Sequence, residues 1–499
     1  MIIKSINSKS VKKLLRLARH YRLVFGLILC IYLIAAPSLM ASDTLKITLE
    51  DALFLGFQQS PAMRTARLDS LSAEGEWKAS RGGRLPQLKF YQDAPSLRES
   101  VDEQFVYDPE TGREQLDYVP SGDLRWQSRL DLNQDLPWGG TLSLSSRIYK
   151  RDWYWTIFES KEEYTEYSLL HRVMFDQPLL EGNPVKREFE ISKIDYSTGM
   201  IDYEISLRDL KYNVTQAFLG LVSAEGALEI AAFDLELGQS SETLAERKLG
   251  AGLIPEVELL QIQVDLARRK GSHKQSENTV ESTREQLKLM LGLDLDQPIR
   301  VVFDVNQIQD VKIEDLDLSG ERLETKRGRL NLDKSKMQTK ASVLKERVNA
   351  YLQAYYELDS RRDEFEDIST TGDKNFGVSL HLEIPIFGFG TTSGRLQTIR
   401  ASQKRNELQQ KTREAAAISD IRGALRNVET ASDRIKISNA AVALSVKSHA
   451  ITEDRFENGN INSRELLDSQ LELTRMKREA LNAQIDYELA VAYLVRIAP

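Results

Sequence analysis

One turn is written twice in this chain, 207 residues apart. The matched positions are Lys248 and Arg455, Gly252 and Gly459, Ile254 and Ile461, Glu258 and Glu465, Leu259 and Leu466, Leu260 and Leu467. In each copy a basic residue and a glycine close one helical pattern. Pro255, or the Asn462–Ser463 pair, then opens the next, which is the punctuation of a helical hairpin. A glycine past a helix C-terminus commonly takes φ > 0, which a β-carbon disfavours. A period this long is no solenoid repeat, so the chain reads as two halves with one helical hairpin each.

The offset holds away from the turn. Pro178 matches Pro385, each at the end of an alternating apolar run. Before the first turn one heptad seam reads Leu207, Val214, Leu221, Leu228, Leu235, with Leu210, Ala217, Ala224, Ala231 as its second position. Before the second turn the same phase gives Ile421, Val428, Ile435, Val442 and Ala417, Ala424, Ala431, Ser438, Ser445. Large facing small every seven residues is a coiled-coil seam with close helix approach. An ordinary amphipathic core helix explains one such pattern, not two in phase.

The first 42 residues contain seven basic residues and no acidic one, then the apolar run Leu23–Ala36 and a small-residue exit at Ala41-Ser42. This predicts a secretory signal peptide (1–42) cleaved near Ala41, because 14 apolar residues are short for a membrane span. The only cysteine, Cys30, lies in that run, so the expected mature chain has no disulfide and no Cys-bound metal. Loss of the seven basic residues takes the formal net charge from −8 to −15, a poor balance for nucleic acid. No later run of 18 apolar residues follows, so any membrane crossing must use β-strands.

Thr48 to Ala52 opens a helix in capping style, running to about Gly82-Gly83 with a kink or break at Ser60-Pro61. Leu85–Tyr91 is a short strand candidate. Leu124, Trp126, Leu130, Leu132 alternate with Arg125, Gln127, Arg129, Asp131; after the turn 137–140, Leu142, Leu144, Ile148 alternate with Ser143, Ser145, Arg147. A further strand covers Tyr167–Pro178. One face of this hairpin is apolar and the other strongly polar, as in a soluble sandwich or a transmembrane barrel. Four of the five tryptophans (Trp126, Trp138, Trp153, Trp155) fall here, which favours the barrel with an interfacial girdle.

Helices are predicted over 184–248 and 255–292, and in the second half over 321–350, 392–457 and 462–497, with strands at 351–358 and 376–386. On the last strand Phe376, Val378, Leu380, Leu382, Ile384 alternate with Asn375, Gly377, Ser379, His381, Glu383. The early parts of the two halves align at a different offset, so the first half carries about 60 extra residues around the tryptophan-rich hairpin. The predicted organisation is a signal peptide at 1–42, a first repeat at 43–293, a connector at 294–320 and a second repeat at 321–499. Each ~65-residue helix is ~100 Å long and matches two ~35-residue helices end to end. The expected fold is an α+β membrane protein, its long antiparallel helical hairpins forming a trimeric α-barrel continuous with a transmembrane β-barrel. Four to six strands per chain enclose no lumen; three copies, with 12 to 18 strands, do.

On these residues the sequence resembles the TolC-like outer membrane factor family over about residues 48–497. The resemblance is carried by Leu49–Leu53, the strand-to-helix passages Asp176–Gly182 and Glu383–Gly388, both glycine turns, and above all Arg455–Leu494 with its Glu465–Asp468 and Tyr487–Ala490 stretches. It implies a homotrimeric outer-membrane channel whose helical barrel crosses the periplasm. There it would meet a periplasmic adaptor and an inner-membrane transporter, as exit duct of a tripartite efflux or type I secretion system. Lys248, Gly252, Leu253, Ile254, Arg455, Gly459, Ile461 and Asn462 would form the tip where the adaptor docks. Ser379, His381 and Glu383 would face the lumen. Glu465 and Asp468, three apart and on one helical face, would form a periplasmic gate; on spacing alone they fit a solvated helix start equally well. Two departures stand out: the inserted hairpin, and Glu465 where many relatives have Asp, with Arg464 beside it.

No catalytic set emerges, so no enzyme and no cofactor are expected. His171, His273, His381 and His449 lack ligand spacing. Gly388–Gly394 lacks the ending of a phosphate loop and reads as a strand-to-helix turn. The competing reading is an exported trimeric coiled-coil structural or adhesive protein with the strands as a soluble head.

Overall fold

The computed structural model describes residues 45–157, 160–303, 320–368 and 372–499. The signal peptide and most of the connector lie outside them. In chain order the elements are β1 (Leu45–Ile47), α1 (Leu49–Gln59), α2 (Pro61–Gly83), β2 (Gln87–Asp108), β3 (Arg113–Asp135), β4 (Thr141–Ile157) and β5 (Ser160–Pro178). Then come α3 (Pro184–Gly250), α4 (Glu256–Leu291), β6 (Ile299–Val301), α5 (Leu323–Lys345), β7 (Asn349–Arg362), β8 (Asp373–Glu383), α6 (Thr391–Glu457) and α7 (Ser463–Ile497).

The two-half plan is built into the helices. α3 and α6 each have 67 residues and begin and end at the same repeat positions. At 1.5 Å per residue each is ~100 Å long. Thr48 caps α1 through a reciprocal bond with Asp51, and Ser60-Pro61 divides α1 from α2 because proline is welcome only at a helix start. α3 is the common neighbour, touching α2 and α5 along its first half and α4 and α7 along its second. The predicted seam is buried: Val214 and Leu221 have no exposed surface, and Leu210, Ala224 and Ala231 lie beside them. The counterparts Ala424, Val428 and Ala431 pack on Tyr487, Val491 and Leu494 of α7. Ion pairs across the upper helices, Asp195–Lys334 and Asp202–Arg327, tie α3 to α5. β1 and β6 form a small parallel pair against the α1–α3 core.

The other six strands form one antiparallel sheet in the order β2-β3-β4-β5-β7-β8. β2 and β3 are much longer than the sequence suggests, 22 and 23 residues, joined at Gly112 with φ 68°. The first eight residues of β3, Arg113–Pro120, pair only with β2, so the hairpin projects past its neighbours. Pro95 sits in the bulge between Asp93 and Ser96, and Pro120 lies where β3 has no β4 partner, the positions a sheet tolerates proline. β8 ends at Glu383, so Ile384 lies beyond the strand rather than on it.

The register sorts side chains by face. One row straight across all six strands reads Leu88, Leu132, Leu144, Val173, Tyr356, Phe376. The adjacent row, on the opposite face, reads Lys89, Asp131, Ser145, Arg172, Glu357, Asn375. Among the described residues no α-helix packs on either face, and the apolar one is open, with Phe376 80% and Phe90 65% exposed. The tryptophans depart from the girdle expectation. Trp126 lies on the apolar face and Trp138 in the turn beside Gly139. Trp153 pairs opposite Asp123, so it and Trp155 stand on the polar face, clustered with Tyr164.

Because Leu221 is fully buried in the α3 seam, Leu221→Ala should cost about 2–5 kcal/mol through lost burial and a residual cavity. Helical melting of the purified chain, followed by circular dichroism, reads this directly. An unchanged melting curve would show that the seam carries no packing energy.

Candidate functional site

At the end of the molecule opposite the sheet the two turns repeat bond for bond. Leu253 N donates to Lys248 O at 2.9 Å and Gly252 N to Leu249 O at 2.9 Å. In the second copy Asn460 N donates to Arg455 O at 2.9 Å and Gly459 N to Phe456 O at 3.0 Å. Gly252 and Gly459 hold φ of 74° and 77°, with nothing within 4 Å of where a β-carbon would lie. Backbone conformation, not space, selects glycine at both.

The predicted tip residues divide into two groups. Leu253 is 71% exposed, and Arg455, Gly459 and Asn462 are on the surface. Ile254 and Ile461 instead pack around a core of Ala245, Ile262, Phe456 and Leu466 shared by the two hairpins. Lys248 also turns inward and is buried. Its ammonium donates to the Phe456 carbonyl and lies 4.3 Å from that ring's centre. The long side chain finds a helix-end carbonyl and an aromatic face there, so it joins the hairpins rather than meeting a partner.

The gate candidates open α7. Asn462 caps it by accepting from Glu465 N at 3.0 Å, and Ser463 N donates to Glu258 of α4 at 3.3 Å. Glu465 and Asp468 both point to solvent in the single chain. Two carboxylates one turn apart at a helix N-terminus form a compact negative patch favoured by the helix dipole.

Further along the hairpins the structure reveals a buried polar knot that the pattern reading misses. Arg269 of α4 bonds Asp234 of α3 at 2.8 Å, Asp265 at 2.5 Å and Gln470 of α7 at 3.0 Å. Gln470 in turn donates to Ser241 at 2.9 Å, and Thr474 to Asp234 at 2.9 Å. His449 of α6 meets Ser469 at 3.1 Å, while its Nε2 is buried without a partner. The overlooked signal was a seam position: Arg269 follows Ile262 and Leu266 at core spacing, and Gln470 stands between Leu466 and Leu473. Burial holds the His449 imidazole below its ordinary value of 6.5; the Arg269 cation acts in the same direction and Glu453 opposes it.

On the sheet, Ser379, His381 and Glu383 lie on the polar face, opposite Gln353, Tyr351 and Asn349. His381 stacks on Tyr351 at 4.7 Å and meets Ser379 Oγ at 3.2 Å. The tip and this face are the full helix length apart, so the candidate residues form two separate sites.

Comparison with known proteins agrees with this geometry. Residues 337–498 match the family described as Outer membrane efflux protein. No curated protein sequence matches the chain. Among solved structures, the CmeC outer membrane channel of Campylobacter jejuni superposes with a TM-score of 0.64 at 13% identity, over 90% of this chain and 85% of that one. A membrane protein from Pseudomonas aeruginosa gives 0.65 at 15% identity, over 92% and 91%. The open state of the MtrE outer membrane channel of Neisseria gonorrhoeae gives 0.62 at 14%, over 90% and 88%. The chain thus has the fold of these channels, and its C-terminal third matches the family the sequence resembles.

His449 makes stability depend on pH with a definite sign. The folded chain keeps the imidazole neutral where the unfolded chain begins to protonate it, so the unfolded state binds more protons. Stability attributable to His449 is therefore present above pH 6.5 and declines as pH falls through and below that value. The urea midpoint should drop more between pH 8 and pH 5.5 in the wild type than in His449→Gln. Parallel pH profiles for the two would remove this role.

Proposed function

We propose that this chain, similar to outer membrane efflux proteins in its C-terminal third and in its whole fold, is the outer-membrane exit duct of an export system. Three copies would close a barrel, with six strands from each making eighteen. β8 of one copy would pair with β2 of the next, which also removes two otherwise open edges. The helices would continue the duct through the periplasm to an adaptor and an inner-membrane transporter.

A slant in the sheet supports this reading most directly. On β8 the apolar run Phe376–Leu382 is centred on Ser379. Followed straight across the hydrogen bonds, that row passes Gln353, Asp176 and Thr141 and reaches Asp135 on β3. The apolar run on β3, Leu124–Leu132, is centred on Ser128, seven residues away. Seven residues are ~23 Å along a strand and four strand spacings ~19 Å across, a slant of roughly 45–50°. Strands of outer-membrane barrels tilt by about 35–45° against their apolar band. A flat soluble face needs no such slant, and no layer among the described residues covers this one.

At the far end, exposed Leu253 and the residues around Arg455, Gly459 and Asn462 would offer the adaptor a docking edge, while Lys248, Ile254 and Ile461 hold the two hairpins in place. Glu465 and Asp468, tripled by symmetry, would ring the entrance with six carboxylates, a cation-favouring constriction.

Two measurements test the reading. With cysteines introduced singly into the otherwise cysteine-free mature chain, a water-soluble maleimide should label positions 379 and 381 and spare 380 and 382. Uniform labelling would remove the barrel. In planar bilayers, Glu465→Ala with Asp468→Ala should reduce cation preference and weaken block by multivalent cations. Unchanged selectivity and block would return both carboxylates to a solvated helix start.

A further inference from the structure

We infer that the polar face of the β3–β4 hairpin is an anion site on the transport path, taking the phosphate, sulfate or carboxylate group of a passing solute. The inference rests on the exit-duct reading, which turns this face to the lumen. Its ground is an arrangement a sheet ordinarily avoids. Arg125 pairs directly opposite Arg151, and Arg129 directly opposite Arg147. Like charges at opposed positions oppose strand pairing, so four guanidiniums on one hairpin face call for a compensating role. On β3, Arg125 and Arg129 interleave with Leu124, Trp126 and Leu130 of the other face, and Arg147 opposite Arg129 stands beside Ile148, which places the Arg129–Arg147 pair at mid-depth of the apolar band; Arg151, between Lys150 and Asp152, lies toward its edge.

Their carboxylate partners are few and recessed. Asp123 serves both Arg151, at 2.7 Å, and Arg125, at 3.9 Å, while Asp131 pairs with Arg129 at 3.0 Å. Arg147 has no ion-pair partner among the described residues; it lies over the Tyr149 ring, 5.8 Å from its centre, and its Nε is buried without a hydrogen bond. Of the other nearby acids, Glu166 accepts from the Tyr149 hydroxyl and Asp93 from Gln127. In each ion pair here the cation stands out and the anion lies low. Arg125 is 46% exposed against 23% for Asp123, and Arg129 41% against 18% for Asp131. The same order holds next door, at 49% for Arg172 against 15% for Glu357. What water meets on this face is therefore guanidinium. A planar fork of N–H donors suits phosphate or carboxylate oxygens in pairs. Three copies around a closed lumen would set these forks at one level, where charge acts directly on conducted ions. The hairpin is the part of the first half with no counterpart in the second, so the site is an addition to the repeated plan.

The test uses the full-length trimer in planar bilayers, with inorganic tripolyphosphate added on the sheet side. Wild-type channels should be blocked, and Arg129→Gln with Arg147→Gln should weaken block at least tenfold. Arg129→Lys with Arg147→Lys, which keeps the charge, should retain most of it and guards against a variant that fails to assemble. Channels without block, or block equal in wild type and the glutamine variant, would overturn the anion site and leave the duct standing. Absence of any channel from the wild-type protein would overturn both.

Discussion

Strand register is the constraint on which the sheet depends. Side chains alternate with a period of two, so a slip of one residue between two strands would move every arginine of one strand onto the apolar side of its neighbour. Five consecutive pairings hold the same parity, from Leu88 on β2 to Phe376 on β8, across a break of almost 170 residues between β5 and β7. Cross-strand pairs on the polar face reinforce it. Arg172 reaches Glu357 at 2.6 Å and Gln353 reaches Asp176 at 2.8 Å, and both bonds join the first half of the chain to the second. The sheet thus joins the halves at one end, as the helix contacts and the Arg269 knot join them along the bundle.

Much of this was legible in the sequence because a repeat checks itself. One offset places the long helices over 184–248 and 392–457, within two residues of their limits at 184–250 and 391–457, and the glycine turns match in every backbone bond. Heptads located the seam, since Leu221 and Val428 could be buried only against partners on the same spacing. The length of β2 and β3 was not legible. Residues 98–117 are rich in Glu and Asp, poor β-formers, and their strand state comes from pairing with each other rather than from propensity.

The differences between matched positions at the site have a common physical cause. Lys248 and Arg455 occupy matched positions, yet Lys248 is buried on the Phe456 carbonyl and Arg455 is exposed. Repeat symmetry fixes the backbone, but two hairpins packed side by side do not meet identical surroundings. One lysine faces the neighbouring hairpin while its counterpart faces outward. The knot around Arg269 is hidden for a like reason, because a charged residue at a seam position looks like an interruption until its partners on two other helices, Asp234 and Gln470, are known. The tryptophans misled through composition alone: clustering predicts a belt, but Trp153 stands on the polar face by strand parity.

The two charged regions at opposite ends of the molecule act independently. About 100 Å of α3 and α6 separates the arginines of β3 and β4 from the carboxylates at the start of α7, while charges are screened within about 10 Å at 0.1 M salt. No field of one end reaches the other. Any coupling between tip and sheet has to be mechanical, carried by helices that are each continuous from the strands to the turns. In α3 that path is bonded sideways at intervals, to Lys334 and Arg327 of α5 above and to Arg496 of α7 and Arg269 of α4 further down. A movement of the hairpins at the tip must therefore break or carry along the Arg269 knot before it strains the bonds nearer the sheet. That ordering lets the turn end change shape while the strand register, and with it the sorting of polar and apolar faces, stays fixed.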